Sequence, residues 1–190
     1  GMPLVAGIDE AGRGPLAGPV VAAAVILDPE KPIHGLDDSK KLSEKVREAL
    51  YEEIMDKALS VGIGYATCAE IDEINILKAT KLAAKRALET MEIAPEALLL
   101  DALELDNCTV SQLSLVKGDQ RSVSIAAASI IAKVTRDRYM KRLAEQYPEY
   151  GFDAHKGYGT ERHYEALRIF GKTPEHRETF LKSFHDLPEV

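Results

Sequence analysis

The strongest constraint on the fold is a pair of apolar runs near the start of the chain, joined by a short glycine-containing loop. The first run, Leu4–Glu10, ends in two acids, and the second is Pro19–Leu27 (PVVAAAVIL). Apolar runs rich in β-branched residues and bounded by glycine or proline are typical of buried strands. Because the connection is short, we expect an antiparallel pair with the acids and the loop at one end.

The loop after the first strand combines acidic side chains with a backbone suited to anions. Asp9 and Glu10 repel each other unless a cation neutralises them. Gly12 and Gly14, on either side of Arg13, let the backbone approach a ligand, and their N–H groups suit a phosphate or a hydroxyl. This combination predicts metal-assisted chemistry on a phosphate ester, with an ordinary surface turn as the alternative. Neighbouring strand residues point to opposite faces, so we expect the strand to end at Glu10.

Two further acids also follow predicted strands. Asp101 ends Ala97–Asp101 (ALLLD), and Asp119 follows Gln112–Val116. Each of them alone fits a turn or a helix cap equally well. With the acidic pair of the first loop they make four oxygen donors of the kind that Mg²⁺ and Mn²⁺ prefer. Four acids can hold two ions about 3.5–4 Å apart and so support hydrolysis by an activated water.

The remaining patterns predict an α/β fold with a mixed sheet flanked by helices. A further strand is expected at Ser60–Cys68. Helices are expected at Glu44–Leu59, Ile76–Met91, Ser124–Tyr147, Glu161–Phe170 and Pro174–Phe184. We expect one globular unit, with a catalytic core over residues 2–150 and a C-terminal helical segment over 151–190 packed on it.

Composition and charge narrow the class of protein. The 190 residues are 45% hydrophobic and 29% charged, as in a soluble globular domain. The net charge of −7 argues against a nucleic-acid partner, but basic residues outnumber acidic ones within residues 117–142, which predicts a local basic face. Cys68 and Cys108 show neither disulfide nor zinc spacing. No membrane span and no signal peptide before Leu4 are evident, so we expect a cytoplasmic protein.

Several ordered segments, spread over almost the whole chain, match one known family. They are Gly7–Val21 (GIDEAGRGPLAGPVV), Asp38–Ser43 (DSKKLS), Leu100-Asp101, Lys117–Asp119 (KGD), Ser124–Tyr139 (SIAAASIIAKVTRDRY), His155–Thr160 (HKGYGT) and the pair His176-Arg177. In these motifs the chain resembles bacterial ribonuclease HII, a type 2 ribonuclease H. The resemblance implies a ribonuclease H-like fold with a C-terminal helical extension.

The resemblance also implies an activity and a set of site residues. The activity is endonucleolytic cleavage, dependent on Mg²⁺ or Mn²⁺, of RNA in RNA–DNA hybrids. It extends to the 5′ side of single ribonucleotides embedded in duplex DNA, the chemistry of ribonucleotide excision repair. The catalytic, metal-binding acids are Asp9, Glu10, Asp101 and Asp119.

Recognition residues are implied in the same way. Gly12, Arg13 and Gly14 would read the ribose 2′-hydroxyl, and Tyr158 would stack on the sugar of the next deoxynucleotide. The short C-terminus predicts that no sliding-clamp-binding tail is present. Considered by itself, Tyr158 is more often a packing residue, but its neighbours Gly157 and Gly159 favour an exposed ring.

Lysines near these motifs are candidate phosphate contacts. Lys40, Lys41 and Lys133 have the charge to bind a nucleic-acid backbone. Exposed lysines are usual on any protein surface, however, so a purely solvated role is the alternative for each.

Two other functions compete with the ribonuclease. A metal-dependent DNA nuclease or transposase-like enzyme needs the acids but no reader of the 2′-hydroxyl. A non-catalytic nucleic-acid-binding module gains nothing from clustered acids, which repel phosphates. We expect the protein to bind RNA–DNA hybrid and ribonucleotide-containing duplex DNA as a monomer.

Overall fold

A five-stranded mixed sheet forms the centre of the protein in the computed structural model, which describes residues 3–188. The strands are β1 (Val5–Ala11), β2 (Val20–Ile26), β3 (Ser60–Ala66), β4 (Ala97–Asp101) and β5 (Ser111–Leu115). Their order across the sheet is β3-β2-β1-β4-β5. The first three strands are antiparallel neighbours, whereas β4 runs parallel to β1 and β5 runs parallel to β4. The expected α/β fold with a mixed sheet is confirmed, and so is the antiparallel pair at its centre.

Seven α-helices connect and flank the strands within residues 3–188. They are α1 (Glu44–Lys57), α2 (Cys68–Ile74), α3 (Ile76–Glu89), α4 (Gly118–Arg121), α5 (Val123–Gln146), α6 (Phe152–His155) and α7 (Glu161–Phe170). The short helices α2, α4 and α6 were not expected. The third strand stops before Cys68 because Thr67 begins α2 with a capping box, in which it exchanges hydrogen bonds with Glu70. None of the helices described is long and apolar enough to cross a membrane.

Small residues bring the two long helices close to the sheet. On one face, alanines of α3 pack against β1 and β2. On the other face, α5 packs its small apolar half against Ala23 and Val25. Side chains at Gly7, Gly62 or Gly64 would overlap the backbone of α5 or α3. Such close packing fixes the strand ends relative to the helices, and the functional residues lie at those ends.

The prediction of a helix at Pro174–Phe184 is wrong. This segment contains only a short 3-10 turn, Glu178–Phe180, preceded by a single β-bridge between His176 and Ala17. The backbone groups that a helix would use are bonded instead to the segment after the first strand. Arg177 N–H donates to the Leu16 carbonyl, and the Glu175 carbonyl accepts from Gly18 N–H, both at 2.8 Å. The C-terminal segment is therefore joined to residues 16–18 through the backbone around His176.

The expected basic face is also wrong for the middle of α5. Arg136 is buried, and three other cations pair with acids: Lys133 with Asp137, Arg138 with Glu48 and Glu52, and Lys141 with Glu44. The pairs join α5 to α1 or lie within α5 itself. Arg138 and Lys141 therefore stabilise the packing of α5 on α1 and do not form a free basic face. The proposed division at residue 150 stays a prediction, although α6, α7 and α5 share one apolar cluster.

Candidate active site

Three acids from separate elements converge at one end of the sheet. Asp9 lies in β1, and the parallel pairing of Ile8 with Leu100 brings Asp101 alongside it at the end of β4. Asp119 lies in the first turn of α4, directly after β5. One carboxylate oxygen from each of these three aspartates lies within 4.8 Å of the others. An all-oxygen set at this spacing fits a hard divalent cation.

Glu10 joins the three aspartates at the same cavity, and we call these four residues the acidic cluster. The expected strand end at Glu10 is wrong, because β1 continues to Ala11, which pairs with Val21. Glu10 nevertheless lines the cavity of about 380 Å³ that the aspartates line. Its Oε1 lies 3.7 Å from Nη1 of Arg13, and its N–H donates to Oδ1 of Asp9 at 2.8 Å. Glu10 thus has a cationic side chain within 4 Å, whereas the ion pairs found within residues 3–188 include none of the three aspartates.

The electrostatics of the acidic cluster favour binding of a cation. Burial raises the pKa of Asp9 well above its usual value, and the charge of Glu10 raises it further. Burial also raises the pKa of Glu10, against the opposing effect of Arg13. The pKa of Asp119 rises to about 6 through burial and through a hydrogen bond and charge from Asp38. The fold therefore holds these carboxylates where ionisation is costly, a cost that a metal ion offsets.

The glycine loop and Tyr158 line the same cavity as the acids. Gly12 has a φ of +94°, and an added Cβ there would overlap the side chain of Arg136. At Gly14 an added Cβ would lie 3.5 Å from Cε1 of Tyr158, so the ring lies over the loop. Tyr158 is 44% exposed. A flat, accessible ring beside two glycines suits stacking on a ligand.

The lysines differ in their placement. Lys40 lines the cavity and lowers the pKa of Asp119. Lys133 also lines it, with its Nζ 2.9 Å from Oδ1 of Asp137. Lys41 is exposed and lies outside the cavity lining. The structure thus brings two of the three candidate phosphate contacts to the site.

Sequence reasoning missed four polar or charged residues that line this cavity: Asp38, Ser39, Ser129 and Arg136. Asp38 is buried and accepts from Lys40 N–H at 3.0 Å. The Ser129 hydroxyl donates to the Ser39 hydroxyl at 2.7 Å, which joins this segment to α5. The motif Asp38–Ser43 was a signal for the first two, although it carried no role for Asp38. The motif Ser124–Tyr139 likewise contained Ser129 and Arg136 but carried no role for either.

A chain of buried histidines lies beneath Tyr158. Thr173 N–H donates to Nδ1 of His176 at 2.9 Å, so Nε2 of that ring carries the proton and donates to Nε2 of His163 at 2.9 Å. Nδ1 of His163 then donates to the Tyr158 carbonyl at 2.8 Å. Burial lowers the pKa of His163 to about 4 and that of His176 to about 3. Both rings are therefore neutral at pH 7 and fix the backbone at Tyr158.

Two solved structures share this architecture over nearly the whole chain. Ribonuclease H2 from Pyrococcus horikoshii OT3 superposes with a TM-score of 0.77 at 32% identity, covering 92% of each chain. RNase HII from Archaeoglobus fulgidus, solved in complex with PCNA, superposes with a TM-score of 0.80 at 28% identity, covering 98% of each chain.

Sequence comparison gives the same assignment. Ribonuclease HII of Acetivibrio thermocellus is 58% identical over 184 residues, which are 97% of this chain and 72% of that protein. Ribonuclease HII of Shewanella halifaxensis is 59% identical over 175 residues, 92% of this chain and 86% of that protein. The profile of the family described as Ribonuclease HII matches residues 6–186. The chain therefore belongs to the ribonuclease HII family of endonucleases.

Proposed function

We propose that this protein cleaves the RNA strand of RNA–DNA hybrids and also cuts on the 5′ side of single ribonucleotides embedded in duplex DNA. Ribonuclease H activity on hybrids follows from membership of the family. The observation that supports the finer proposal is that the acidic cluster, the glycine loop and Tyr158 all line one cavity. The residues proposed for hydrolysis and those proposed for recognition of the ribonucleotide therefore line the same cavity.

The acidic cluster fits a site for two divalent ions, Mg²⁺ or Mn²⁺. Its donors are all carboxylate oxygens, and Asp9, Asp101 and Asp119 present them within 4.8 Å of one another. The three aspartates and Glu10 would hold the ions. Ions bound there would neutralise the acids, lower the pKa of a bound water and stabilise the leaving oxygen.

The residues around the acidic cluster position the substrate. The backbone N–H groups of Gly12, Arg13 and Gly14 would address the ribose 2′-hydroxyl, which distinguishes RNA from DNA. Tyr158 would stack on the sugar that follows the ribonucleotide, and Lys40 and Lys133 would contact phosphates. Since none of these contacts depends on base identity, we expect cleavage to tolerate many sequences.

The reaction is hydrolysis of a phosphodiester by water. Water attacks the phosphorus on the 5′ side of the ribonucleotide, and the 3′-oxygen of the preceding nucleotide leaves. The products carry a 3′-hydroxyl and a 5′-phosphate. The 2′-hydroxyl serves for recognition and not as a nucleophile, so no cyclic phosphate forms.

The competing functions make different use of the same residues. A DNA-only nuclease would need the acidic cluster but not the exposed ring of Tyr158 over Gly14. The non-catalytic binding module is wrong, because the chain belongs to a family of endonucleases. A monomeric state and a cytoplasmic location stay predictions.

Labelled duplexes of one sequence test the proposal directly. The set contains no ribonucleotide, one ribonucleotide, several ribonucleotides, or a continuous RNA strand, each with Mg²⁺, with Mn²⁺ and with EDTA. We expect metal-dependent cleavage of every duplex except the all-DNA one, with 3′-hydroxyl and 5′-phosphate ends. Cleavage of the all-DNA duplex, or a 2′,3′-cyclic phosphate among the products, would contradict the proposal.

A further inference from the structure

Two arginines are buried directly beneath the glycine loop without acidic partners. Arg136 is 1% exposed and Arg177 is 0% exposed. The ion pairs found within residues 3–188 include neither guanidinium. Burial lowers the pKa of each to about 10, which leaves both charged at neutral pH. A buried charge without a counter-ion is costly and persists only where its hydrogen bonds are well satisfied.

The hydrogen bonds of Arg177 all go to the loop. Its Nη2 donates to the Gly12 carbonyl at 2.6 Å, and its Nη1 donates to the Arg13 carbonyl at 3.0 Å. Its Nε donates to the Gly18 carbonyl at 3.0 Å. A guanidinium is planar and presents its donors in a fixed fork, so three simultaneous bonds fix the direction of each carbonyl.

Arg136 holds the other end of the loop and the segment that leads to Tyr158. Its Nε donates to the Pro19 carbonyl and its Nη2 to the Ala17 carbonyl, both at 2.9 Å. Its Nη1 donates to the Lys156 carbonyl at 2.7 Å. We call Arg136 and Arg177 the arginine support. Together they bond six carbonyls on both sides of the cavity.

The direction of these carbonyls determines where the loop N–H groups point. In a trans peptide the C=O of one residue and the N–H of the next point in opposite directions. Because the Gly12 carbonyl points at Arg177, the Arg13 N–H points away from it. The Arg13 carbonyl fixes the Gly14 N–H in the same way. Two successive N–H groups with one direction form a concave anion- or hydroxyl-binding nest.

The same two N–H groups are available to a ligand. Within residues 3–188, neither Arg13 N–H nor Gly14 N–H is bonded to a protein acceptor. Gly12, Arg13 and Gly14 all line the cavity that contains the acidic cluster. The donors opposite Arg177 are therefore the ones that a substrate hydroxyl can reach.

We propose that Arg177 is a positioning residue that aims the N–H groups of Arg13 and Gly14 at the ribose 2′-hydroxyl. The inference rests on the proposed function, because it assigns recognition of that hydroxyl to the loop. Arg177 itself acts through the backbone and touches no substrate. Its guanidinium determines the discrimination between ribose and other sugars, and the acidic cluster determines the rate of hydrolysis.

Substitution of Arg177 tests this role with two substrates that differ only in the 2′ substituent of one sugar. Wild type, Arg177→Lys and Arg177→Ala are assayed on duplexes with one ribonucleotide or one 2′-fluoro nucleotide. Lysine keeps the charge but cannot hold three carbonyls in a plane. We expect both variants to lose at least about tenfold in kcat/KM on the ribonucleotide duplex, equivalent to about 1.4 kcal/mol. The ratio of kcat/KM between the two sugars should fall, while the Mg²⁺ concentration for half-maximal rate stays unchanged.

Two controls separate positioning from a structural role. Arg138→Lys removes a guanidinium of α5 that pairs with Glu48 and Glu52 away from the cavity, and it should keep the wild-type ratio. Added guanidinium ion should partly restore the activity and the ratio of Arg177→Ala. All rates are measured where circular dichroism shows each variant to be fully folded.

The outcomes distinguish this inference from the proposed function. If wild type itself does not discriminate between the two sugars, the proposed function fails. If wild type discriminates and folded Arg177→Lys keeps both its kcat/KM and its ratio, the positioning role is overturned.

If the Arg177 variants do not fold, NMR of a protein that retains Arg177 tests the inference instead. In ¹⁵N-labelled Asp9→Asn protein, the amide signals of Arg13 and Gly14 should shift with the ribonucleotide duplex and not with all-DNA duplex. Equal shifts with the two duplexes would overturn the inference.

Discussion

The acidic cluster, in which Asp9 is buried and the other acids are partly buried, and the fully buried arginine support are both groups of like charges, but they are compensated differently. In the acidic cluster, burial and neighbouring acids raise the pKa of Asp9 and Asp119, and protein donors offset this only in part. In the arginine support, every donating nitrogen reaches a backbone carbonyl. Direct pairing of the two groups would neutralise both. Their separation leaves the acids open to an external cation and the arginines committed to the backbone.

The comparison predicts that the acidic cluster carries the chemistry, so its loss should have the largest effect. Asp9→Asn should lower turnover by several orders of magnitude, because one carboxylate of the metal site is lost while the Oδ1 that accepts from Glu10 N–H is kept. EDTA should abolish wild-type activity, and Mg²⁺ or Mn²⁺ should restore it. Single-turnover rates of folded protein provide the measurement. A near-normal rate for Asp9→Asn would remove this residue from the mechanism.

The chain of buried histidines beneath Tyr158 should make the protein sensitive to acid. The pKa values of His163 and His176 lie at about 4 and about 3, below the value of about 6.5 in the unfolded chain. The unfolded state therefore binds more protons below pH 6.5, and stability falls as the pH drops from there towards 4. We expect a loss of a few kcal/mol between pH 7 and pH 4.

Urea unfolding of wild type and His176→Gln across this range measures the effect. The variant removes one of the two titrating rings, so its stability should depend less steeply on pH. An identical pH dependence in the two proteins would show that the histidine chain does not cause the loss.

Recognition should show an intermediate effect. Tyr158→Ala should lose roughly 1–3 kcal/mol of positioning, the range for stacking on nucleic acid, which is about tenfold or more in kcat/KM. Tyr158→Phe keeps the ring and should keep most activity. The loss in kcat/KM should be greater on a duplex with one embedded ribonucleotide than on continuous RNA. In the first substrate a deoxyribose always follows the cut nucleotide, and in the second it does not. Equal losses on both substrates would assign Tyr158 to the fold or to general binding.

The smallest effect concerns the stability of the metal-free protein. The pKa of Asp119 is raised to about 6, so its ionisation opposes folding above that pH and not below the unfolded value of about 3.9. Asp119→Asn should therefore raise the urea midpoint in EDTA at pH 7.5 and leave it unchanged at pH 3.5. A midpoint that rises equally at both pH values would point to a cause other than charge.

Sequence reasoning assigned a role to each acid of the acidic cluster, but it gave no role to the two residues of the arginine support, although both lie in the quoted motifs. Each acid follows or ends an apolar run, so a local pattern placed it at a strand end, and the sheet then brought these ends together. Arg136 looked like one of several surface cations on α5. Its partners are backbone carbonyls at least 20 residues away, and carbonyls carry no residue-type signal. The incorrect prediction of a helix at Pro174–Phe184 has the same cause, because the backbone of this segment bonds to residues 16–18, which are distant in the sequence.

The bonds of Arg177 span 159 to 165 residues of chain, which has a consequence for the nascent protein. Synthesis proceeds from the N-terminus, so the acids are all present once residue 119 has been added. The residue that aims the loop leaves the ribosome much later. A chain made up to residue 119 contains all four acids of the acidic cluster but lacks both residues of the arginine support. We therefore expect selectivity to be the last property that this protein acquires as it folds.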